Sequence, residues 1–352
     1  MNGPTVVVVG VTGAVGRVFL QVLAERRFPV GELRLCASSR SAGKELSVNG
    51  ERLRVQETTP DSFRGADLVF ISVSSGISRK LAPIAVEAGA VVIDDSSAFR
   101  MEPTVPLVVP EINADDVEWH QGILSIPNCS TTQMVMALYP LHRANPIKRV
   151  IVDSYQSVSG TGAAAMEELR VQSRQVLEGE PTKAEKYPHQ IAFSVLPHIE
   201  PFLENGYTRE EWKMLEETRK IMHAPEIAVS ATCVRVPVLV GHSEAVHVEF
   251  THPMTPAEAR ELLAAFPGVR VVDDPANNTY PMPIDCVGSD DVLVGRIRQD
   301  ASHPNGLAMW VVSDNLRKGA ATNALQIAEE VVKRGLLTRQ RAQKLAARMR
   351  AR

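Results

Sequence analysis

Cys129 stands in the run Ser125-Ile126-Pro127-Asn128-Cys129-Ser130-Thr131-Thr132-Gln133. A thiol becomes a nucleophile when it ionises. The start of a helix favours ionisation, because unpaired N–H groups and the positive end of the helix dipole converge there. The local sequence predicts such a place. Residues 123–126 are a short apolar run that reads as a strand, and Pro127 ends it by giving the sheet no N–H. Ser130, Thr131 and Thr132 suit a first helical turn better than a helix interior. From Met134 the apolar residues Met134, Val135, Leu138 and Leu141 fall at helical spacing. A thiol so placed has its pKa drawn from about 8.5 toward neutrality. A buried structural cysteine is the alternative, and the polar neighbours Asn128 and Ser130 argue against apolar burial.

A second constellation opens the chain. Residues 5–9 are apolar on both faces, as a central parallel strand requires. Gly10-Val11-Thr12-Gly13-Ala14-Val15-Gly16 follows, and then Val15, Val18, Phe19, Val22 and Leu23 mark one face of a helix. Strand, glycine loop and helix start form the context for a dinucleotide pyrophosphate. The spacing is GxxGxxG instead of the commoner GxGxxG, and a plain glycine turn is the alternative. The second strand, 32–37, leads into Ser38-Ser39-Arg40-Ser41-Ala42-Gly43-Lys44. No carboxylate stands there to hold ribose hydroxyls or repel a 2′-phosphate, while a guanidinium and several hydroxyls could bind one. This predicts NADP preference, with a solvated polar loop as the alternative.

These residues need a frame. Further strands at 67–73 and 90–94, with a helix between them, make strand and helix alternate, which predicts a doubly wound parallel sheet. Its ligands gather at the carboxyl ends of the strands. Arg100 follows such an end and could bind an anion there, although an isolated Arg is ordinarily a surface residue. A strand at 149–155 runs into the polar glycine loop Gln156-Ser157-Val158-Ser159-Gly160-Thr161-Gly162, the kind of loop that carries function more often than packing. Residues 163–177 read as a helix. Residues 183–198 have no clear period and read as an extended excursion or a subunit-contact segment. Thr208 and Glu211 form a capping box for a helix reaching about Met222. On it Glu217 and Lys220 share a face, which alone suggests only an ordinary solvated ion pair. In the strand 228–236, Cys233 and Arg235 share a face, and a charge there is costly unless it meets water or an anion. His242 falls in the glycine-containing connection Gly241-His242-Ser243, where an imidazole can be presented for catalysis. It is one of nine histidines, so spacing alone does not select it. A second capping box at Thr255 and strands at 292–298 and 307–312 complete an α+β second domain, and a helix at 320–334, ended by Gly335, follows it. The last helix is expected to pack back on the first domain, and the basic stretch after Arg339 to be a solvated helix end.

With 352 residues, 44% hydrophobic and 22% charged, the chain suits about two globular domains. A formal net charge of −3 gives no sign of nucleic acid or an anionic membrane as partner. Four scattered cysteines, without CxxC or Cys/His clusters, suggest neither a disulfide framework nor a metal site, and fit a cytoplasmic protein. No signal peptide and no apolar run near the roughly 18 residues of a membrane helix is seen.

Taken together and in order, Gly10-Val-Thr-Gly-Ala-Val-Gly16, Pro127-Asn128-Cys129-Ser130-Thr131, Cys233-Val234-Arg235, Gly241-His242-Ser243 and Val311-Val312-Ser313-Asp314-Asn315-Leu316 resemble the aspartate-β-semialdehyde dehydrogenases. The likeness spans nearly the whole chain. It implies a Rossmann-type NADP-binding domain at 1–128, completed by a C-terminal helix within 319–352, and a catalytic and dimerisation domain at 129–318. It implies NADPH-dependent reduction of L-aspartyl-4-phosphate to L-aspartate 4-semialdehyde, with release of phosphate, on the route to lysine (through diaminopimelate), threonine, methionine and isoleucine. By similarity Cys129 is the nucleophile, His242 the acid–base residue, and Gln156 orients the acyl group. Arg235 binds the substrate α-carboxylate and Glu217 its amino group. Arg100 and Lys220, with Asn128, bind phosphate. Thr12, Gly13, Ala14, Val15, Arg40, Ser41, Ser159, Gly160 and Asn315 contact NADP. A homodimer or dimer of dimers is expected. The rivals are an N-acetyl-γ-glutamyl-phosphate reductase, and a non-catalytic NADP-binding regulatory relative. The first would need no carboxylate for a free ammonium, and the second should have lost the cysteine or the histidine.

Overall fold

A computed structural model describes residues 3–338. The basic stretch after Arg339 lies outside the described residues. The described parts of Met1–Pro127 and Ala320–Arg352 form one unit, and Asn128–Gly319 forms a second. Each boundary falls one residue from the expected position, and the first has a clear cause. Asn128 caps the helix that begins at Cys129, so it belongs with that helix.

The first unit is built on strands β1 (Thr5–Val9), β2 (Glu32–Ala37), β5 (Gln56–Glu57), β6 (Leu68–Ile71), β7 (Val91–Asp94) and β8 (Ile123–Ser125). A hairpin of β3 (Glu45–Val48) and β4 (Glu51–Arg54) stands apart. The sheet order is β5-β2-β1-β6-β7-β8, with every pair parallel. Period-two alternation divides β1 between two cores. Val6 and Val8 pack with Phe19 and Leu23 of helix α1 (Ala14–Glu25) and with Ala324, Leu325 and Ala328 of the helix Thr322–Arg334. Val7 and Val9 pack on the other face with Ala82 and Ala85 of helix α2 (Ser75–Glu87). The Phe19 and Phe70 rings stack at 4.1 Å. The helix Thr322–Arg334 is further fixed by Asn323, whose side chain donates to the Val108 carbonyl at 2.8 Å. It ends on Gly335 in the left-handed region.

From β1 the chain goes to β2 on one side, and β6 lies on the other, so a topological switch point falls at the carboxyl end of β1. The glycine loop begins there. Gly10 has φ +85°, and a Cβ on it would lie 2.1 Å from the Ser72 carbonyl oxygen. A Cβ on Gly16 would lie 2.5 Å from the Gly10 carbonyl oxygen. Both positions therefore require glycine, one to let two strand ends approach and one to seat α1 on the loop.

The second unit is a mixed six-stranded sheet covered by helices, the α+β arrangement expected. Its strands are β9 (Ile147–Gln156), β10 (Ala228–Arg235), β11 (His242–Phe250), β12 (Val269–Val271), β13 (Val292–Gln299) and β14 (Gly306–Ser313), in the order β10-β9-β11-β14-β13-β12. Helix α3 (Cys129–Ala144) packs on this sheet and is buried along most of its length. Helices α4 (Ala163–Glu178), α5 (Arg209–Ile221) and α6 (Pro256–Ala264) follow. Both expected capping boxes form, Thr208 with Glu211 and Thr255 with Glu258, each N-cap contributing about 1 kcal/mol. His242 differs from expectation. It is the first residue of β11 and already pairs with Ser313, because Gly241 at φ +93° completes the turn one residue earlier. Among the described residues no helix is long and apolar enough to cross a membrane.

Candidate active site

Strand β8 ends at Ser125 and α3 begins at Cys129, so the thiol sits at a helix start. The Asn128 side-chain oxygen accepts from the N–H groups of Ser130 at 3.0 Å and Thr131 at 3.3 Å. That cap fixes the first turn and hence the direction of the Cys129 side chain. Cys129 is partly exposed, whereas Cys36, Cys233 and Cys286 are buried. Among the described residues no two of them form a disulfide. Gly319 presses against the nucleophile candidate, since a Cβ there would lie 2.9 Å from Cys129 Cβ.

Two carboxylates of α5 converge on Asn128. Glu217 Oε2 accepts from the Asn128 N–H at 2.6 Å, and only 1% of Glu217 is exposed. Glu217 is therefore not the solvated side chain that spacing alone suggested. Lys220, three residues on, is half-buried. Glu210 Oε1 accepts from the Asn128 side-chain amide at 2.9 Å and from the Gln156 amide at 3.1 Å. Its other oxygen accepts from Lys213, which also pairs with Glu200. Burial, the largest influence, pushes the Glu210 carboxyl up. Lys213 and the bonds from Asn128 and Gln156 outweigh it, and the group is held at about 2. Glu210 is thus a buried, ionised carboxylate that orients two side chains at once.

Arg235 and His242 form the other part of this site. Arg235 ends β10, registers with Gln156 on β9, and is 5% exposed. Its Nη1 donates to the Ser157 carbonyl at 2.8 Å, and its buried Nε has no partner. His242 Nδ1 accepts from the Ser157 N–H at 3.0 Å. That bond assigns the ring proton of neutral His242 to Nε2, which is buried without a partner. Burial first, and the Arg235 charge second, pull the imidazole down to about 3. At neutral pH the ring is uncharged and offers an N–H donor. Asn315 Oδ1 ties the loop together, accepting from Ser157 Oγ, Ser159 Oγ and the Gly241 N–H at 3.0–3.1 Å. A Cβ on Gly160 would meet Arg235 Nη1 at 3.0 Å and His242 Nε2 at 3.3 Å. The missing side chain of Gly160 therefore leaves room exactly where cation and imidazole approach one another.

The remaining candidates lie in the first unit. Gly13 is the N-cap of α1, Ala14 and Val15 open the helix, and no side chain caps it. The turn can therefore receive an anion on its N–H groups. Thr12 Oγ1 donates to Ser41 Oγ at 3.3 Å, which links the glycine loop to the loop after β2. Arg40 is exposed. Arg100 is not the surface residue expected by default, for it is 7% exposed and its Nη2 donates to the Asp95 carbonyl at 2.9 Å.

Sequence reasoning missed several groups. Ser157, which sets the His242 tautomer, stood inside the polar loop already singled out. Glu210 and Lys213 lie in the first turn and a half of the capping-box helix, where acidic residues are expected for the dipole alone. Glu244, two residues past His242 on the same strand face, is fully buried, and burial pushes its carboxyl well up. Nothing local to a strand reads as a neutral acid.

Two family models match this chain. "Semialdehyde dehydrogenase, NAD binding domain" covers residues 5–120 and "Semialdehyde dehydrogenase, dimerisation domain" covers 138–318. An aspartate-semialdehyde dehydrogenase of Aquifex aeolicus is 56% identical over 339 residues, 95% of this chain and 100% of the relative. The chain belongs to the aspartate-semialdehyde dehydrogenases. Among solved structures, aspartate semialdehyde dehydrogenase II from Vibrio cholerae, complexed with ASA, aligns with a TM-score of 0.92 at 46% identity, covering 95% of this chain and 99% of the other. The Candida albicans aspartate semialdehyde dehydrogenase with NADP aligns with a TM-score of 0.73 at 26% identity, covering 96% and 99%. The first unit is thus a nicotinamide-cofactor-binding domain of Rossmann type, and the second is the dimerisation domain of an aspartate-semialdehyde dehydrogenase.

Proposed function

We propose that this chain reduces L-aspartyl-4-phosphate to L-aspartate 4-semialdehyde, with NADPH as reductant and release of phosphate, in the cytoplasmic synthesis of lysine, threonine, methionine and isoleucine. The observation that carries the reading is the ionised Glu210 shared by Asn128 and Gln156 next to Cys129. A carboxylate kept charged inside an acyl site suits a free substrate ammonium. An N-acetylated glutamyl substrate would bring it no ammonium, and this disfavours that rival. Glu217 was the sequence-based choice for the ammonium. Its carboxylate is buried and accepts from the Asn128 N–H, and Glu210, bonded to the Asn128 side chain, is a second carboxylate at the same place.

Cys129 attacks the acyl carbon, phosphate leaves, and a thioester forms on sulfur. Asn128 and the first turn of α3 hold the sulfur and face the oxygen that gains charge. Gln156, anchored by Glu210, orients the acyl group. NADPH, when bound, supplies the hydride that reduces the thioester carbon. His242 handles the proton: its Nε2–H meets the oxyanion, and collapse to aldehyde returns the Cys129 thiolate. Arg235 takes the α-carboxylate on its planar fork. Arg100 and Lys220, with Asn128, take phosphate, and Lys213 adds a third cation beside Glu210. The turn Thr12, Gly13, Ala14 and Val15 takes the pyrophosphate, and by the family resemblance Ser159, Gly160 and Asn315 are further cofactor contacts.

NADP is favoured over NAD because the loop after β2 exposes Arg40, follows it with the half-buried Ser41, and carries no carboxylate. Arg40→Ala should weaken NADP by about tenfold or more, one charge-assisted contact of roughly 1.5–3 kcal/mol, and leave NAD within about twofold. Titration of both cofactors measures this, and equal losses would refute the assignment. The dimerisation-domain match supports a homodimer, which a dimer of dimers would extend, and a monomer in sedimentation at micromolar concentration would remove both. The function itself is tested by phosphate-dependent oxidation of two aldehydes. L-aspartate 4-semialdehyde should be preferred over N-acetyl-glutamate 5-semialdehyde by at least about 10³ in kcat/KM, because the blocked amine brings no charge or ammonium donors to the buried carboxylates. The opposite preference would overturn the proposal.

A further inference from the structure

We propose that Tyr187 is a positioning residue for Arg235, and that the irregular segment 183–198 is a strap that holds it there. The inference rests on the reading of Arg235 as the ligand of the substrate carboxylate. Arg235 belongs to β10, an edge strand of the second sheet. The strap covers that edge: the Leu196 N–H donates to the Arg235 carbonyl at 2.9 Å, and the Arg235 N–H donates to the Leu196 carbonyl at 2.8 Å.

Two buried side chains of α4 hold the rest of the strap. Glu168 Oε2 accepts from the N–H groups of Glu185 at 3.1 Å and Lys186 at 2.7 Å. Gln172 accepts from Ile191 at 3.0 Å and Ala192 at 3.2 Å, and donates to the Lys183 carbonyl at 2.8 Å. A segment without regular structure thus has its backbone polar groups satisfied by side chains, which fixes its path. Tyr187 lies between these anchors. It packs against the apolar cluster that includes Val158, Leu169 and Leu196, its hydroxyl donates to Thr161 Oγ1 at 3.0 Å, and its ring centroid is 6.0 Å from Arg235 Cζ.

The choice of a ring has a chemical reason. Among the described residues Arg235 makes no ion pair within 4.0 Å, although it is buried. A carboxylate partner would fix the guanidinium but occupy the in-plane N–H fork that a substrate carboxylate needs. An aromatic face attracts the cation from outside that plane and leaves the fork open. Nη1 is already aligned by the Ser157 carbonyl, and the ring supplies the second constraint.

Tyr187→Ala and Tyr187→Leu should each raise KM for L-aspartate 4-semialdehyde by about 3- to 30-fold, the range expected for loss of a partly buried cation–π contact. The expected change in kcat is under about threefold, with KM for NADP unchanged. Tyr187→Phe keeps the ring and should stay within about twofold of the parent. Leucine preserves the apolar packing, so it serves if the alanine variant does not fold, and sedimentation and circular dichroism should match the parent. An unchanged substrate KM overturns the proposal. So does a fall in kcat with both KM values moving together, or a phenylalanine variant as impaired as leucine. Arg235→Ala, measured alongside, separates two failures. If it leaves the substrate KM unchanged, the carboxylate reading is wrong; if it raises KM more than about 100-fold while Tyr187→Leu is silent, only the role of Tyr187 falls.

Discussion

Cys129→Ala is expected to lower phosphate-dependent oxidation of L-aspartate 4-semialdehyde by about 10⁴- to 10⁶-fold, the scale seen when a covalent nucleophile is removed, while NADP still binds. Packing permits a clean test. Gly319 presses on the Cβ of Cys129, which alanine keeps, and the Asn128 cap bonds to backbone N–H groups that alanine also keeps. Only the sulfur is lost. Initial rates with both substrates saturating, together with NADP titration by fluorescence, provide the measurement. Activity within tenfold of the parent would eliminate the thioester, and loss of NADP binding as well would mean that the variant had changed more than the nucleophile.

His242→Ala is expected to lower kcat by about 10²- to 10⁴-fold, the usual range for a positioned acid–base group. The pH profile carries more information than the size of the loss. Burial and the Arg235 charge hold the free-enzyme imidazole at about 3, so above that pH the ring is neutral and donates from Nε2. The acid limb of kcat/KM between pH 5 and 8 therefore belongs to another group, and His242→Ala should depress the profile without moving that limb. A limb that vanishes in the variant would show that His242 titrates in the working range. The same depression makes a linked stability prediction. An unfolded histidine takes up its proton near 6.5 and the folded one only near 3, so His242 costs stability as pH falls through that window, and above 6.5 the penalty is gone. Urea unfolding at pH 5 and pH 7.5 should show a smaller acid loss in the variant than in the parent.

Glycines and caps made much of the fold legible. The loop from Gly10 to Gly16 announced a strand end, a close approach and a helix start, and the structure uses Gly10 and Gly16 for those steric reasons. Thr208 and Thr255 announced helix starts because the capping box is chemistry local to four residues. Cys129 was legible because a proline, polar first-turn residues and a helical period meet within a dozen positions. Where the signal was long-range, the reading weakened. Glu217 and Lys220 looked like a surface pair because spacing along a helix says which residues share a face, not what that face meets. Glu210, Lys213 and Ser157 carried no local signal. The roles of Glu210 and Ser157 come from Asn128, Gln156 and His242, between 54 and 85 residues away.

By itself the sequence determined the two kinds of sheet, the glycine turn at the end of β1, the helix start at Cys129, and a family resemblance that the comparisons support over nearly the whole chain. Those features rest on backbone sterics and short-range hydrogen bonding, which a chain encodes in consecutive residues. Tertiary structure alone decided the ionisation states. Glu210 stays charged because Lys213, Asn128 and Gln156 surround it, while exclusion of water pushes the Glu244 carboxyl up and the His242 imidazole down. Charge in a protein interior depends on everything within a few ångströms in three dimensions, and that neighbourhood exists only once distant segments have packed.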